Sequence, residues 1–200
     1  MKRNQLLIIG LVATTFLFSC KNEKDTKQEG NEVTKVVPVQ KEAEKKVLTP
    51  EQSDRVNSLW SKTTVNPDTK NFIRFMTSAG IANTLLSPSS DFTVFAPNNK
   101  SFSVFTEKSN VTNDPTRKDE LITLLKTHIV MGSMDSAQLV QAIKKDTKVE
   151  LTTLAGNKLT ATMDGSDILL TNKAGTIAKI KKSDIKASNG VLHIVDAILK

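Results

Sequence analysis

The side chains of this sequence that could exchange protons near neutral pH are two histidines, His128 and His193. An imidazole can act as a general acid or base, or as a metal ligand. Each histidine belongs to an apolar run, residues 121–128 for His128 and residues 191–195 for His193. This placement favours buried, hydrogen-bonded structural histidines, with a catalytic or metal-binding pair as the alternative.

Other signals of catalysis or cofactor binding are weak. Cys20 is the one cysteine, so no internal disulfide can form, and a zinc site would need three or four ligands. The segment Gly132-Ser133-Met134 lacks a glycine-flanked nucleophile elbow, and neither phosphate-binding fingerprint occurs. We therefore predict no catalytic residue, no metal and no cofactor.

The composition indicates one globular domain with tails: 200 residues, of which 38% are hydrophobic and 24% charged. Eight Phe, one Trp and no Tyr provide little material for a base-stacking platform. The net charge of +7 is mild, and the lysines are interspersed with Asp and Glu. The sequence thus predicts no nucleic-acid partner, and a monomer is favoured.

The N-terminus has the pattern of an export signal. Lys2 and Arg3 precede an apolar run over residues 6–18, which is too short for a bilayer span of about 20 residues. Leu17-Phe18-Ser19-Cys20 resembles the lipobox of bacterial lipoproteins, in which a small residue precedes an acylated Cys, although Phe18 is larger than usual there. We predict a lipoprotein signal peptide over residues 1–19 and lipidation of Cys20. The alternative is an ordinary cleavable leader with an incidental Cys.

The next segment, residues 20–50, is predicted to be the lipidated Cys followed by a flexible tether. Its charges are mixed, it has no aromatic residue, and its few aliphatic residues cannot bury enough surface to offset the chain entropy. A transient helix over residues 42–48 is the alternative. The folded domain is expected to occupy residues 51–200.

Within this domain the apolar spacing predicts helices first and strands afterwards. Asp68 is expected to cap a helix that buries Phe72, Phe75, Met76 and Ala79 and ends at Gly80. A short helix over residues 81–86, a buried strand over 91–97 and a helix capped by Asn98 follow. Further helices begin after Asp114-Pro115 and at Ser133 or Asp135, the last with Ala137, Leu139, Val140 and Ile143 inward. From residue 148 the alternation predicts strands, the last over residues 191–199. This order predicts an α+β domain.

Two stretches resemble the signatures of the fasciclin domain: Thr93-Val94-Phe95-Ala96-Pro97-Asn98-Asn99-Lys100-Ser101-Phe102 and Asn189-Gly190-Val191-Leu192-His193-Ile194-Val195-Asp196. Between them, residues 124–130 resemble the family's central segment. The resemblance implies a single fasciclin-type α+β domain with two twisted β-sheets and a helical wedge. It assigns mainly structural roles to the motif residues Thr93, Phe95, Ala96, Pro97, Asn98, Phe102, His128, Asn189, Gly190, His193 and Asp196.

The resemblance also implies a function. Fasciclin domains are secreted or surface-anchored modules associated with adhesion and matrix interactions, sometimes with glycans, and they share no catalytic centre. Asp184-Ile185 matches an Asp-Ile pair linked to receptor binding in animal members, whereas the family's Tyr-His pair is Thr127-His128 here. The alternative for Asp184 and Ile185 is structural, with Asp184 capping a turn and Ile185 in the core.

A lysine cluster lies in the same region of the sequence. Lys179, Lys181, Lys182 and Lys186 could meet acidic polysaccharide or lipid head groups, and Lys181 and Lys182 are the candidate contacts. Such a cluster also suits a solvated strand edge, where lysine discourages aggregation.

These observations predict a lipid-anchored bacterial envelope protein, in the outer membrane and facing either the periplasm or the exterior. Its expected partners are the membrane, through the N-terminal lipid, and a glycan, matrix or surface protein. Two alternatives remain: an envelope hydrolase or metal-dependent enzyme using His128 and His193, and a periplasmic carrier with an enclosed cavity of about 300 Å³ or more for a small apolar ligand.

Overall fold

The computed structural model describes residues 48–89, 91–109, 111 and 114–200. The predicted leader, the lipidation site Cys20 and nearly all of the tether lie outside the described residues. Among the helices that are described, none is long and apolar enough to cross a membrane.

Six α-helices and seven strands make up the regular structure of the described residues. The helices are α1 (Pro50–Asn57), α2 (Leu59–Val65), α3 (Lys70–Ala79), α4 (Asn99–Lys108), α5 (Lys118–Lys126) and α6 (Ser136–Asp146). The strands are β1 (Phe92–Pro97), β2 (Ile129–Met131), β3 (Val149–Thr152), β4 (Lys158–Asp164), β5 (Asp167–Asn172), β6 (Ile177–Ala187) and β7 (Gly190–Val195). Short 3-10 turns occupy Pro67–Thr69, Ala82–Leu85 and Pro115–Arg117.

The strands form one sheet in the order β2-β1-β7-β6-β5-β4-β3. Strands β1 and β7 are parallel, and the other neighbours are antiparallel. A bridge between Val130 and Thr153 brings the two ends of the sheet together, so that the sheet is a nearly closed barrel. The α+β fold class is confirmed, and the two predicted sheets are the two halves of this sheet, which share the long strand β6.

Strand β1 lies between two apolar clusters. Val94 and Ala96 point into the cluster formed with the helices, which includes Phe72 and Phe102. Phe95 points to the other side, into the cluster inside the sheet and beneath α6. Because successive side chains of a strand alternate in direction, a strand buried on both faces reads as a continuous apolar run. The predicted buried strand is confirmed.

Several predicted helix signals are confirmed. Gly80 ends α3, and the Asn98 Oδ1 atom accepts a hydrogen bond from the Ser101 N–H at 2.9 Å, which caps α4. Asp135 begins α6 with a capping box, in which its side chain accepts from the Gln138 N–H. These features depend on local contacts within one turn, which the sequence determines directly.

Four details of the prediction are wrong. Asp68 does not cap α3, because Asn66 caps a preceding 3-10 turn in which Asp68 lies. Residues 81–86 form a 3-10 turn and not an α-helix. Ala137 is exposed, since α6 contacts the sheet through Leu139 and Ile143. The last strand ends at Val195, although Ile198 and Leu199 beyond it are still buried.

Candidate functional site

Two irregularities in β6 organise the candidate binding surface. In the pairing of β6 with β7, Ile180 lies opposite Val195 and Lys182 lies opposite Ile194. Lys181, between them, has no counterpart in β7 and is an extra residue in β6. The next pair is Ile185 with Leu192, which adds a second extra residue around Ser183 and Asp184. Each extra residue is a β-bulge, which redirects side chains and bends the strand.

The first bulge brings two lysines to one side of the sheet. Lys181 and Lys182 are neighbours, and in a regular strand their side chains would point to opposite faces. Both line the same depression beside Asn98 and Lys100 at the start of α4. The Lys182 Nζ atom lies 2.8 Å from the Asp68 Oδ2 atom, whereas Lys181 forms no ion pair with another described residue.

The second bulge places Asp184 in a left-handed backbone conformation, with φ +64°. Its carboxylate accepts hydrogen bonds from the Ser136 N–H at 2.7 Å, from the Ser136 hydroxyl at 2.5 Å and from the Ser183 hydroxyl at 2.9 Å. Partial burial acts to raise the pKa of Asp184, but these hydrogen bonds outweigh it and hold the pKa below its ordinary value. The carboxylate therefore ties β6 to the first residue of α6.

Ile185 has the position that the structural alternative predicted. Its side chain is half-buried and packs against the core cluster that includes Phe72 and Leu192. The Asp184-Ile185 pair is thus anchored on both sides, the first residue to α6 and the second to the core.

His193 lies directly beneath the second bulge and is fully buried. Its Nδ1 atom accepts from the Asp184 N–H at 3.4 Å, and its Nε2 atom lies 2.9 Å from the Met134 carbonyl oxygen. This arrangement requires a neutral ring with the proton on Nε2. Burial lowers the pKa of His193, and the Met134 bond and nearby carboxylates oppose the shift only in part.

Thr93 of β1 completes the support of this surface. Its hydroxyl donates to the Gly132 carbonyl oxygen at 2.6 Å and accepts from the Met134 N–H at 2.9 Å. Thr93 and His193 therefore hold the same loop, residues 132–134, which leads into α6. Through this loop, residues of both predicted signatures position Asp184 and Ser136.

His128 is held in the opposite tautomer. Its Nε2 atom accepts from the Leu199 N–H at 3.0 Å, so the ring proton is on Nδ1, which donates to the Leu124 carbonyl oxygen at 2.9 Å. Burial lowers the pKa of His128 to about 4. Both nitrogens of each histidine are thus engaged by backbone groups.

Asn189 and Gly190 join the β6–β7 turn to the N-terminal helices. The Asn189 Oδ1 atom accepts from the Leu59 N–H at 2.7 Å, and its Nδ2 atom donates to the carbonyl oxygens of Leu85 and Ser87. A Cβ atom on Gly190 would lie 1.9 Å from the Phe92 carbonyl oxygen. Only glycine fits this close approach of the two backbones.

The described residues contain no group of three or more His, Cys, Asp or Glu that could hold a metal ion. Their larger depressions, of about 600 and 470 Å³, adjoin each other around Phe105 and Lys108. Exposed lysines line both of them. These depressions are surface grooves and do not have the form of the enclosed apolar cavity that a carrier would need.

Comparison with known proteins places this architecture in a family. A family model described as the fasciclin domain matches residues 67–200. The chain belongs to the fasciclin domain family. The match includes both signatures, the central segment and all seven strands.

Individual relatives show how far the similarity extends. Protein sll1483 of Synechocystis sp. is 34% identical over 117 residues, which make up 57% of this chain and 57% of that protein. The transforming growth factor-beta-induced protein ig-h3 is 28% identical over 134 residues in Sus scrofa and 32% over 138 in Oryctolagus cuniculus. Each mammalian match covers 66% of this chain and 18% of the relative, so the chain spans only part of the relatives' length.

A solved FAS1 domain pair from the insect cell adhesion molecule fasciclin I has the same fold. It superposes with a TM-score of 0.63 at 14% identity, over 72% of this chain and 51% of that chain. At this identity the likeness concerns the fold alone.

The remaining motif residues of this fasciclin domain lie in its scaffold. Phe95 stacks on His193 with ring centroids 5.4 Å apart, and Phe102 stacks on Phe75 at 5.2 Å. Ala96 and Pro97 are buried in β1. The Asp196 Oδ1 atom accepts from the Lys179 N–H at 2.8 Å, which extends the pairing of β6 and β7.

Sequence reasoning did not find Ser136 or the two bulges. Ser136 lies 48 residues from Asp184 in the chain and acts through a tertiary contact. The one available signal was its place directly after the helix cap Asp135. Lys100 lines the depression with Lys181 and Lys182, but in the sequence only its place in the first signature distinguishes it.

Proposed function

We propose that this protein is a lipid-anchored bacterial envelope protein whose fasciclin domain binds a glycan, matrix or surface-protein partner without chemical turnover. One observation carries the non-catalytic part: both histidines are fully buried, and both ring nitrogens of each are bonded to backbone groups. Neither ring has a nitrogen available to a substrate or a metal. The match of residues 67–200 to the fasciclin family, whose members are associated with adhesion, supports a role in binding.

The anchor rests on the sequence of the N-terminus. The charged start, the apolar run and Cys20 follow the order that export and acylation require. Each buried methylene contributes about 0.8 kcal/mol to membrane binding, so two or three acyl chains anchor durably where one does not. We propose residues 1–19 as the signal peptide, 20–50 as the lipidated tether and 51–200 as the binding domain, in the outer membrane.

Metabolic labelling tests the anchor. Cells that express the full chain or its Cys20→Ser variant are grown with labelled palmitate and then separated into membrane and soluble fractions. We expect label and membrane association for the wild type, and neither for the variant. Unlabelled wild-type protein in the cytosol would exclude the lipoprotein proposal. If the wild type is labelled and bound to the membrane, protease treatment of intact cells shows which side of the outer membrane the domain faces.

Binding and turnover are tested with the full chain purified in detergent. We expect saturable binding to a glycan array or to cell surfaces, and no multiple turnover in hydrolase assays. The enzyme alternative makes a distinct prediction: turnover that is lost in His128→Gln and His193→Gln variants that still fold. Observation of such turnover would replace the binding proposal with the enzyme.

A further inference from the structure

Two adjoining depressions form one groove across the domain. The first, of about 470 Å³, lies between α4 and residues 196–200, and the second, of about 340 Å³, lies between α4 and the first bulge of β6. Asn98 and Lys100 line both depressions. The groove therefore continues from the C-terminal end of α4, past its N-terminal end, to Lys181 and Lys182.

Exposed lysines occur along the whole groove. Lys108 lies at one end, Lys100 at the junction, and the Lys181-Lys182 pair at the other end. Both residues of the pair line the groove, at the point where β6 carries its first bulge. Lys182 is paired with Asp68, so Lys181 is the lysine of this pair that is available to an anion.

The lysines that line the groove outnumber its acidic residues, which are Asp68 and Asp196. Asp68 pairs with Lys182, and the Asp196 Oδ1 atom accepts the Lys179 N–H. Lys100, Lys108 and Lys181 form no ion pair with another described residue. The groove thus presents a row of positive charges to a ligand with spaced negative charges.

The floor of the groove suits a sugar polymer. Val104 is 44% exposed, and Phe105 is half-exposed with the Lys200 Nζ atom 5.7 Å from its ring centroid, so Val104 provides most of the open apolar surface between the lysines of α4. Sugar rings have apolar C–H faces as well as polar edges, and they can lie on such a floor while their acidic groups meet the lysines. The groove is open to solvent along its length and can admit an extended chain.

From this geometry we propose that the groove binds an acidic polysaccharide of the uronic-acid type, with its carboxylates on Lys181, Lys100 and Lys108. The inference rests on the proposed binding function and names its ligand class and its surface. Exposed lysines in a shallow groove bind carboxylates in a salt-dependent manner, since the charges are screened over about 8 Å at physiological ionic strength.

The test uses the full chain purified in detergent, with alginate as the polyuronate, dextran as a neutral polymer, and vesicles of phosphatidylglycerol as an anionic surface. The groove variant is Lys100→Glu/Lys181→Glu. Its matched control is Lys144→Glu/Lys145→Glu, which makes the same charge change on exposed residues in the last turn of α6, outside the groove. Circular dichroism and thermal unfolding confirm that both variants fold.

We expect alginate binding that weakens between 50 and 200 mM salt, no binding to dextran, and a loss of about tenfold or more in the groove variant. The control variant should lose less than about threefold. Equal losses in the two variants would show that net charge alone is responsible and would overturn the groove. The acyl anchor should bind both variants to vesicles to the same extent, so vesicle binding that weakens only in the groove variant, without any binding to alginate, would overturn the glycan in favour of lipid.

The proposal and the broader function can fail separately. If alginate does not bind but the array or cell-surface assay detects a partner, the acidic-polysaccharide groove is wrong and the binding function stands. If neither assay detects a partner, both are wrong.

Discussion

At the scale of single residues, the two histidines explain how a chain with imidazoles in its core remains free of buried charge. His128 carries its proton on Nδ1 and His193 on Nε2, each donated to a backbone carbonyl oxygen. A backbone N–H occupies the other nitrogen of each ring. Protonation of either ring would set two N–H groups against each other, so the fold selects the neutral form.

This arrangement predicts a loss of stability in mild acid. Burial lowers the pKa of His128 from the ordinary 6.5 to about 4, so the unfolded chain takes up a proton below pH 6.5 while the folded chain stays neutral. The contribution of His128 is complete above pH 6.5 and decreases as the pH falls towards 4. Over that range it amounts to about 3 kcal/mol of unfolding free energy.

Denaturant unfolding of the wild type and of His128→Gln at several pH values between 7.5 and 4.5 measures the effect. We expect the variant to be less stable than the wild type at pH 7.5, because it loses the buried contacts of His128, and to show a shallower dependence of stability on pH. The proton resonances of the His128 ring, followed by NMR, should remain those of the neutral form at pH 5. A midpoint near 6.5 would contradict the prediction.

Gly190 permits a second prediction at this scale. Gly190→Ala would place a Cβ atom 1.9 Å from the Phe92 carbonyl oxygen and 2.9 Å from the Leu59 Cδ1 atom. We expect a loss of about 3 kcal/mol or more, or failure to fold. Gly165→Ala is the control, since Gly165 also has a positive φ but nothing within 4 Å, and it should cost only about 1 kcal/mol. Similar unfolding midpoints for the two variants would rule out the close approach as the cause.

At the scale of elements, features that depend on contacts between residues close in sequence could be predicted, and features that depend on distant contacts could not. The caps Asn98 and Asp135 and the buried run of β1 were predicted because each depends on neighbours within a few residues. The bulges in β6 depend on its register with β7 and on Ser136 far along the chain, so no local pattern marks them. The charged side chains of the candidate surface could be predicted from residue type, whereas the bulges that arrange them could not.

The link between β6 and α6 can be measured through Asp184. Asp184→Ala removes its hydrogen bonds to Ser136 and retains the left-handed backbone at φ +64°, so we expect a loss of about 2 kcal/mol. Asp184→Gly removes the same hydrogen bonds but fits the backbone, and it should be about 1 kcal/mol more stable than the alanine variant. Urea unfolding of the two variants compares them directly.

A double-mutant cycle with Ser136→Ala separates the hydroxyl contact from the backbone contact. Each single variant already loses the hydrogen bond between the Ser136 hydroxyl and the Asp184 carboxylate, and the double variant cannot lose it again. The coupling energy between Asp184→Ala and Ser136→Ala should therefore be about 1 kcal/mol. Strictly additive losses would mean that the Ser136 hydroxyl does not support Asp184.

At the scale of the whole molecule, the folded body is larger than the segment that defines the family. The family match begins at residue 67, but helices α1 and α2 precede it and are built into the same structure. Leu59 of α2 is fully buried, and its N–H is the partner of Asn189. The Ser188 N–H and hydroxyl donate to the carbonyl oxygens of Asn57 and Asp54. The two helices thus cover the turn between β6 and β7, which carries the second signature.

Shortening the chain tests this dependence. A chain that begins at residue 67 loses the Leu59 side chain from the core and leaves the buried Asn189 Oδ1 atom without its donor. We expect its unfolding free energy to be lower by about 4 kcal/mol than that of a chain beginning at residue 48. Leu59→Ala in the longer chain should reproduce about 3 kcal/mol of this loss, while Val56→Ala, an exposed change in α1, should cost less than about 0.5 kcal/mol. If the two chains unfold at the same denaturant concentration, α1 and α2 are accessory and the turn that bears Asn189 is stable without them.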